Sequence, residues 1–299
     1  MSNDSRTINS INTTLTGQES TAELDSANLS RGWEAIAGDK KPRKQTQVTW
    51  AARTDIGRVR ENNEDKFDFF APDDPGILAA RGRLWAIADG MGGHNAGQIA
   101  SEAALKTTIR SYFNPGDADA VATLRAAITD ANSLIYGAAK RMGAQSGMGT
   151  TLVALALLED RFLLAHVGDS RAYRWRAGEG LRQITTDHSW VEEQVARKAL
   201  TREQAEASPY RNMITRSVGV EDTVRADIIS FEAKPGDLYL LCSDGLSGLL
   251  DDAALRAAIE RTPNPSRLVL ELIDAANDAG GKDNITALVL RVDAVSDVP

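Results

Sequence analysis

The chain has 299 residues, of which 42% are hydrophobic, and its formal net charge is −8. This acidity excludes a general electrostatic grip on nucleic acid and suits a site that gathers cations. Cys242 is the only cysteine, so a disulfide framework and a thiolate metal cage are excluded. Because no apolar stretch reaches signal-peptide or membrane-span length, we expect a soluble, cytoplasmic protein without a membrane partner. The length predicts one folded domain, the charge argues against a nucleic-acid partner, and we expect a monomer.

Residues 1–46 are predicted to form a disordered polar tail. They are rich in Ser, Thr, Asn and Gln, lack a periodic apolar pattern and end in a basic run at residues 40–44. We interpret this run as a solvated linker, with binding to an acidic partner or an anionic surface as the alternative. The folded domain is expected over residues 47–294, followed by a C-terminal tail at 295–299.

Short apolar runs predict strands that cluster together, with helices between the clusters. The expected strands cover residues 48–52, 66–70, 84–88, 150–158, 161–167, 172–176, 226–231, 238–242 and 285–292. The expected helices cover residues 97–113, 118–142, 251–261 and 265–279. This order is unlike the regular alternation of a doubly wound parallel sheet. We therefore expect an α+β fold, in which an antiparallel β-sandwich carries helices on its outside.

The polar segment 187–207 is helix-prone, and Asp187-His188-Ser189 supplies a helix-capping signal. Two interpretations are open for it. The segment is an ordinary pair of surface helices or a mobile flap over a site, and the sequence slightly favours the first.

Five carboxylates fall where a turn meets a strand. They are Glu64, Asp65, Asp89, Asp244 and Asp283. Asp89 follows a buried strand and enters a turn with glycines at 90, 92 and 93, which leave the backbone open to a cation or a phosphate. Each Asp-Gly or Asp-Asn pair alone is an ordinary turn signal. Five hard oxygen donors together, without cysteine pairs or His-x-x-x-His, favour magnesium or manganese over zinc or copper.

Six short motifs carry these carboxylates and their neighbours. They are Arg60-Glu61-Asn62-Asn63-Glu64-Asp65, Asp89-Gly90-Met91-Gly92-Gly93-His94, Gly147-Met148-Gly149-Thr150-Thr151, Gly168-Asp169-Ser170-Arg171, Ser243-Asp244-Gly245 and Asp283-Asn284. In this order they resemble the motifs of the metal-dependent serine/threonine protein phosphatases of type 2C, and the Gly-Met-Gly-Gly-His form is typical of bacterial members. The resemblance covers residues 48–293. It implies two antiparallel sheets flanked by antiparallel helix pairs, in four layers, with metals at one end.

The resemblance also implies the metal ligands, for two ions of Mn²⁺ or Mg²⁺. Asp89 bridges the two ions, and Asp244 and Asp283 complete one of the sites. Glu64 and the carbonyl of Gly90 serve the other site.

Two more residues of the first motif gain roles from the resemblance. Asp65 lies at the metals and orients the water bound there, and Arg60 holds the substrate phosphate as a guanidinium can. Asp169 and the segment 149–151 are interpreted as fold markers rather than ligands.

The activity implied is hydrolysis of phosphoserine and phosphothreonine in proteins by a water that bridges two metals, in opposition to a cognate serine/threonine kinase. A side-chain nucleophile is then unnecessary. Residues 245–249 fail the Gly-x-Ser-x-Gly pattern at its last position, and Cys242 lies in an apolar strand without an activating neighbour. The alternatives are a phosphoprotein-binding regulator with little catalysis and a hydrolase of small phosphoesters.

One departure from the family concerns the general acid. The eukaryotic branch carries a histidine two residues after the bridging aspartate, where this chain has Met91. The leaving alkoxide must then take its proton from water at the metals or from His94, which we interpret as a structural residue. His166 lies inside an apolar strand and is interpreted as a core residue.

A second departure concerns a third metal. Many bacterial members bind one through an aspartate at the position of Ser146, with an aspartate of the flap whose counterpart here is Ala196. A hydroxyl and a methyl cannot offset the cost of dehydrating a small divalent ion. We therefore expect two metals and no third, unless Asp187, Glu192 or Glu193 replaces the lost ligands.

Overall fold

The structure, a computed structural model, describes residues 32–33, 41–92, 95–116, 118–142 and 147–298. Most of the predicted tail lies outside these residues, as do His94 and Ser146. Among the described helices, none has both the length and the apolarity needed to cross a bilayer.

Two five-stranded sheets form the centre of the molecule, in the orders β1-β12-β11-β8-β9 and β10-β7-β6-β3-β2, and β4 pairs with β5 in a small ladder. The strands are β1 (Lys44–Asp55), β2 (Lys66–Phe70), β3 (Arg83–Ala88), β4 (Gly90–Met91), β5 (Gly149–Thr150), β6 (Leu152–Leu158), β7 (Arg161–Val167), β8 (Arg171–Arg176), β9 (Gly180–Gln183), β10 (Asp227–Glu232), β11 (Leu238–Cys242) and β12 (Ile285–Asp297). Neighbouring strands run antiparallel throughout.

Helices cover the outer face of each sheet. They are α1 (Pro75–Arg81), α2 (Ala96–Tyr112), α3 (Ala120–Arg141), α4 (Trp190–Ala196), α5 (Arg202–Glu206), α6 (Asp244–Ser247), α7 (Asp252–Arg261) and α8 (Pro265–Asp278). α2 and α3 pack on the sheet that contains β3, and α7 and α8 pack on the sheet that contains β11.

The alternation of side chains along β3 shows how the layers are built. Trp85 and Ile87 lie in the core between the two sheets, whereas Leu84 and Ala86 lie in the core beneath α2 and α3. Successive side chains of a strand point to opposite faces of the sheet. A strand that is buried on both faces therefore needs a packed layer on each side. The resulting α-β-β-α layers confirm the predicted α+β sandwich.

The two terminal strands correct the predicted domain boundaries. β1 begins at Lys44 rather than at residue 47, and β12 continues to Asp297 rather than ending before a tail at 295–299. The two extensions pair with each other, Lys44 opposite Asp297, so each provides hydrogen-bond partners for the other's backbone.

Trp33, within the predicted tail, is buried in the folded domain. Its side chain is 1% exposed, and the indole Nε1–H donates to the carbonyl of Phe113 at 2.9 Å. The guanidinium of Arg81 lies 5.0 Å from the centre of the indole ring, within range of a cation–π contact. Trp33 therefore packs where α1 and α2 end, and the region ascribed to a structureless tail contains a core residue.

Replacing Trp33 by alanine should lower the free energy of unfolding by roughly 3–5 kcal/mol, the usual cost of removing a buried aromatic side chain. Urea denaturation followed by circular dichroism measures the change. Deletion of residues 2–31 is the matched control, since it leaves Trp33 in place. A Trp33→Ala protein that unfolds at the same urea concentration as the wild type would show that this contact does not stabilise the domain.

Candidate metal centre

Strand pairing brings the predicted site residues to one end of the sandwich. In one sheet, Lys66 at the start of β2 pairs with Ala88 at the end of β3. Asp65 and Asp89, which flank this pair, therefore lie close enough for each carboxylate to repel the other.

The other sheet contributes the second half of the site. Asp244 follows β11 and Asp283 precedes β12, its antiparallel neighbour, so these two carboxylates also repel each other. The hydroxyl of Ser243 donates to Asp65 Oδ2 at 2.6 Å, which joins the two sheets directly. The structure thus brings together the acidic residues that the sequence placed in separate motifs.

Hydrogen bonds to its backbone N–H and carbonyl hold Asp89 in place. Its N–H donates to Thr151 Oγ1 at 2.9 Å, and its carbonyl accepts from the Thr151 N–H and the Thr150 hydroxyl, both at 2.8 Å. Ser170 Oγ lies 2.8 Å from Thr151 Oγ1 and completes the chain. The threonines interpreted as fold markers therefore fix the backbone of a central carboxylate.

Glu64 is fixed by groups that sequence reasoning did not assign. Its N–H donates to Asn284 Oδ1 at 2.8 Å, and its carbonyl accepts from the Ser101 hydroxyl at 2.6 Å. The first helical turn packs directly on it, because a methyl at Gly97 would lie 2.7 Å from Glu64 Cδ. A side chain at Gly90 would overlap the carbonyl of Gly97, so both positions require glycine. Asn284 was visible in the sequence as part of a motif, and Ser101 was not.

Arg60 lies at the rim of the carboxylates. Its Nη2 is 2.7 Å from Asp283 Oδ2. The side chain of Arg60 is 51% exposed, and that of Asp283 is 37% exposed. The hydrogen bond to Asp283 raises the pKa of Arg60, and the nearby charges of Glu64 and Asp89 act in the same direction.

Burial dominates the electrostatics of the site. It raises the pKa of Asp65 and of Asp169 to about 7, and Asp244 adds to the rise in both. Burial, followed by repulsion from Asp65, raises the pKa of Asp89 well above its usual range. Burial and Asp283 raise the pKa of Asp244. Carboxylates with raised pKa values destabilise the fold increasingly as the pH rises from their unfolded-state pKa, and a divalent cation relieves that repulsion.

The donor atoms fit a hard, hydrated cation. Three carboxylate oxygens are buried without a hydrogen-bond partner: Glu64 Oε1, Asp65 Oδ1 and Asp169 Oδ1. Native proteins leave few such atoms unpaired. Within the parts of the chain that the structure describes, no three His, Cys, Asp or Glu side chains form a closed ion cage by themselves. Magnesium needs only one or two carboxylates because it keeps several waters, and manganese suits the same oxygen ligands.

Comparisons with known proteins identify the family of this chain. The sequence profile of the protein phosphatase 2C family matches residues 58–276. The chain belongs to this family. That finding confirms the family to which the six motifs pointed.

Two bacterial relatives resemble this protein phosphatase 2C chain along most of its length. The serine/threonine protein phosphatase PstP of Mycobacterium tuberculosis is 38% identical over 82% of this chain, which spans only 45% of that relative. The serine/threonine phosphatase stp of Listeria monocytogenes is 35% identical over 81% of this chain and 94% of its own length.

Solved structures share the fold of this protein phosphatase 2C chain. A crystal structure of the M. tuberculosis phosphatase PstP/Ppp has a TM-score of 0.73 and 37% identity, covering 84% of this chain and 100% of its own. The catalytic domain of PstP in complex with two manganese ions has a TM-score of 0.71 over the same shares of the two chains.

The acidic residues considered as replacement ligands for a third metal all have arginine partners. Asp187 pairs with Arg171, Glu192 with Arg202, and Glu193 with Arg197. Ala196 ends α4. Absence of a third metal from this protein phosphatase 2C chain stays a prediction.

The remaining candidate nucleophile and the core histidine follow expectation. Burial raises the pKa of the Cys242 thiol to about 12, so the reactive thiolate is absent near neutral pH. His166 is 2% exposed, and burial lowers its pKa to about 3.

Replacing Gly97 by alanine should weaken Mn²⁺ binding, because the added methyl must displace the Glu64 carboxylate. We expect roughly a 10–100-fold loss of affinity by isothermal titration calorimetry, the usual effect of a change beside a metal ligand. Gly137→Ala in α3 is the matched control, since its methyl would approach only the end of the Arg141 side chain, at 3.4 Å. Equal Mn²⁺ affinities for the two variants would contradict this placement of Glu64.

Proposed function

We propose that this chain is an enzyme that hydrolyses phosphoserine and phosphothreonine in proteins. The observation that carries the proposal is the convergence of Asp65, Asp89 and Asp244 from both sheets, with Arg60 at their rim. The names of the bacterial relatives support the same activity.

Each site residue has a distinct task in this reaction. Two Mn²⁺ or Mg²⁺ ions, when bound, supply Lewis-acid activation of water and neutralise the phosphoryl oxygens. We assign the ligand atoms to the carboxylates of Glu64, Asp89, Asp244 and Asp283 and to the carbonyl of Gly90. Asp65 is buried, its Oδ2 accepts from the Ser243 hydroxyl, and its Oδ1 has no hydrogen-bond partner. The unpaired oxygen suits a group that orients the attacking water.

Arg60 binds the phosphate of the substrate. Its guanidinium already occupies the edge of the site, where Asp283 accepts one of its hydrogen bonds. A guanidinium has five N–H donors in a planar fork, so it can bind phosphate while this contact is kept or exchanged. The half-exposed position at the rim leaves the guanidinium accessible to a protein surface.

We further propose phosphorylated proteins, and a cognate serine/threonine kinase that supplies them, as the partners of a monomeric cytoplasmic enzyme in a signalling pathway. Two alternatives remain open: a phosphoprotein-binding regulator with little catalysis and a hydrolase of small phosphoesters. The buried Asp65 Oδ1 favours catalysis over simple binding, because an unpaired carboxylate oxygen beside the other acidic residues can orient water, which phosphate recognition does not require.

The proposal predicts turnover of phosphothreonine peptides with added Mn²⁺ in preference to nucleotides, and none in excess chelator. Asp89→Asn should lower kcat by more than about 100-fold, since a shared ligand matters at least as much as the residues that orient ligands. Phosphate release from the three substrate classes measures this, with an aryl phosphate as the generic substrate. Peptide binding without turnover would favour the regulator, and preferential nucleotide hydrolysis would favour the small-phosphoester enzyme.

Arg60→Ala should raise KM for phosphopeptides by roughly 10–100-fold, because a charge-assisted hydrogen bond to phosphate contributes about 1.5–3 kcal/mol. Arg58→Ala is the control, as Arg58 is an exposed arginine of the same loop. Steady-state kinetics on one phosphothreonine peptide compares the two. If both variants show the KM of the wild type, Arg60 does not bind the substrate phosphate.

A further inference from the structure

The base of one surface segment is bonded to the turn that precedes Asp169. We use the word flap for residues 187–218, which contain α4 and α5. Its two ends pair with each other: the Trp190 N–H donates to the Met213 carbonyl and the Thr215 N–H to the His188 carbonyl, both at 2.8 Å. These contacts make a closed base, from which the helices project.

His188 fastens this base to the turn between β7 and β8. Its N–H donates to the Gly168 carbonyl at 2.8 Å, and the Gly168 N–H donates to His188 Nδ1 at 3.0 Å. His188 thus bonds both backbone polar groups of Gly168, one through its own backbone and the other through its side chain. Gly168 has a φ of +108°, and a side chain there would lie 2.6 Å from Thr151, so the turn accepts only glycine.

The geometry fixes the imidazole as a neutral ring. Because Nδ1 accepts a hydrogen bond, its proton must be on Nε2, which faces Asp227 Oδ2 at 3.3 Å. Arg216 Nη1 donates to Asp227 Oδ1 at 3.1 Å, and its positive charge, 2.8 Å from Nε2, opposes a second proton on the ring. Burial, followed by Arg216, lowers the pKa of His188 in agreement with this.

From Gly168 the contacts continue to two carboxylates of the centre. Asp169 is the next residue, and its buried Oδ1 is one of the unpaired oxygens. Ser170 bonds Thr151, and Thr151 Oγ1 accepts from the N–H of Asp89. The turn held by His188 therefore carries one carboxylate directly and supports the other through two hydroxyls.

We propose that His188 is a positioning residue for the phosphatase reaction: as a neutral acceptor for the Gly168 N–H, it fixes the base of the flap to the turn that sets Asp169 and, through Ser170 and Thr151, Asp89. This inference rests on the proposed function for its effect on turnover. A purely structural role is the competing explanation, because the ring also stacks on His166 at 4.5 Å.

Three substitutions in the full-length chain separate the two explanations. His188→Asn keeps an acceptor oxygen at the position of Nδ1, His188→Gln moves its amide to the position of Nε2, and His188→Ala removes both. Each variant is characterised by kcat and KM on a phosphothreonine peptide, by calorimetric titration with Mn²⁺ and by thermal unfolding. Asn and Gln both lose the aromatic ring, so loss of stacking affects them equally.

We expect the Ala and Gln variants to lose roughly 10–100-fold in kcat, with a smaller change in KM and a weaker Mn²⁺ affinity, the range for residues that orient ligands. The Asn variant should recover most of the loss in kcat and in Mn²⁺ affinity. Equal behaviour of Asn and Gln, or wild-type values for a folded Ala variant, would overturn the proposal. If the Ala variant does not fold, the Asn and Gln pair decides.

The Mn²⁺ titration also separates this proposal from the proposed function. If the wild type binds Mn²⁺ but releases no phosphate from peptides, the proposed function fails. The order of Mn²⁺ affinities, with Asn above Gln and Ala, still tests the positioning role. If the Asn, Gln and Ala variants all bind Mn²⁺ as the wild type does, the positioning role fails whatever the substrate.

Discussion

Repulsion among the buried carboxylates of Asp65, Asp89 and Asp244 is the interaction around which this end of the molecule is built. Burial raises the pKa of each of them, because the surrounding protein solvates negative charge poorly. Such a group of like charges persists only where the rest of the fold holds it in place. The site therefore depends on a rigid frame and on a positive charge from outside.

The frame consists of neutral hydrogen bonds from loops at the ends of both sheets. Thr151 fixes the backbone of Asp89, Ser243 bonds Asp65, and Asn284 fixes Glu64. All three partners are uncharged, so they hold the carboxylates without neutralising them. Arg60 is the exception, and it lies at the exposed rim, where it can exchange Asp283 for a substrate phosphate. This division leaves the buried negative charge available to cations.

Sequence patterns predicted the carboxylates because each one follows or precedes a strand at a recognisable turn. They did not predict contacts between distant residues. His188 was visible only as part of a helix-capping signal, and its bond to Gly168 depends on how the flap folds back. Trp33 was missed because a lone aromatic residue in a polar segment has no periodic pattern. The end of β12 was missed because Asp293 interrupts its apolar run, and the strand continues beyond it by pairing with β1.

Thermal unfolding of the metal-free and Mn²⁺-saturated protein, for the wild type and for Asp89→Asn, tests most directly whether buried carboxylate repulsion is relieved by a divalent cation. Ligand at 100 times its Kd stabilises the folded state by about 2.7 kcal/mol. If a bound cation relieves the repulsion, Mn²⁺ raises the Tm of the wild type. Asp89→Asn without metal should be at least as stable as the metal-free wild type, and Mn²⁺ should shift its Tm far less. A wild-type Tm that does not respond to Mn²⁺, or an equal shift in Asp89→Asn, would contradict this relief of repulsion.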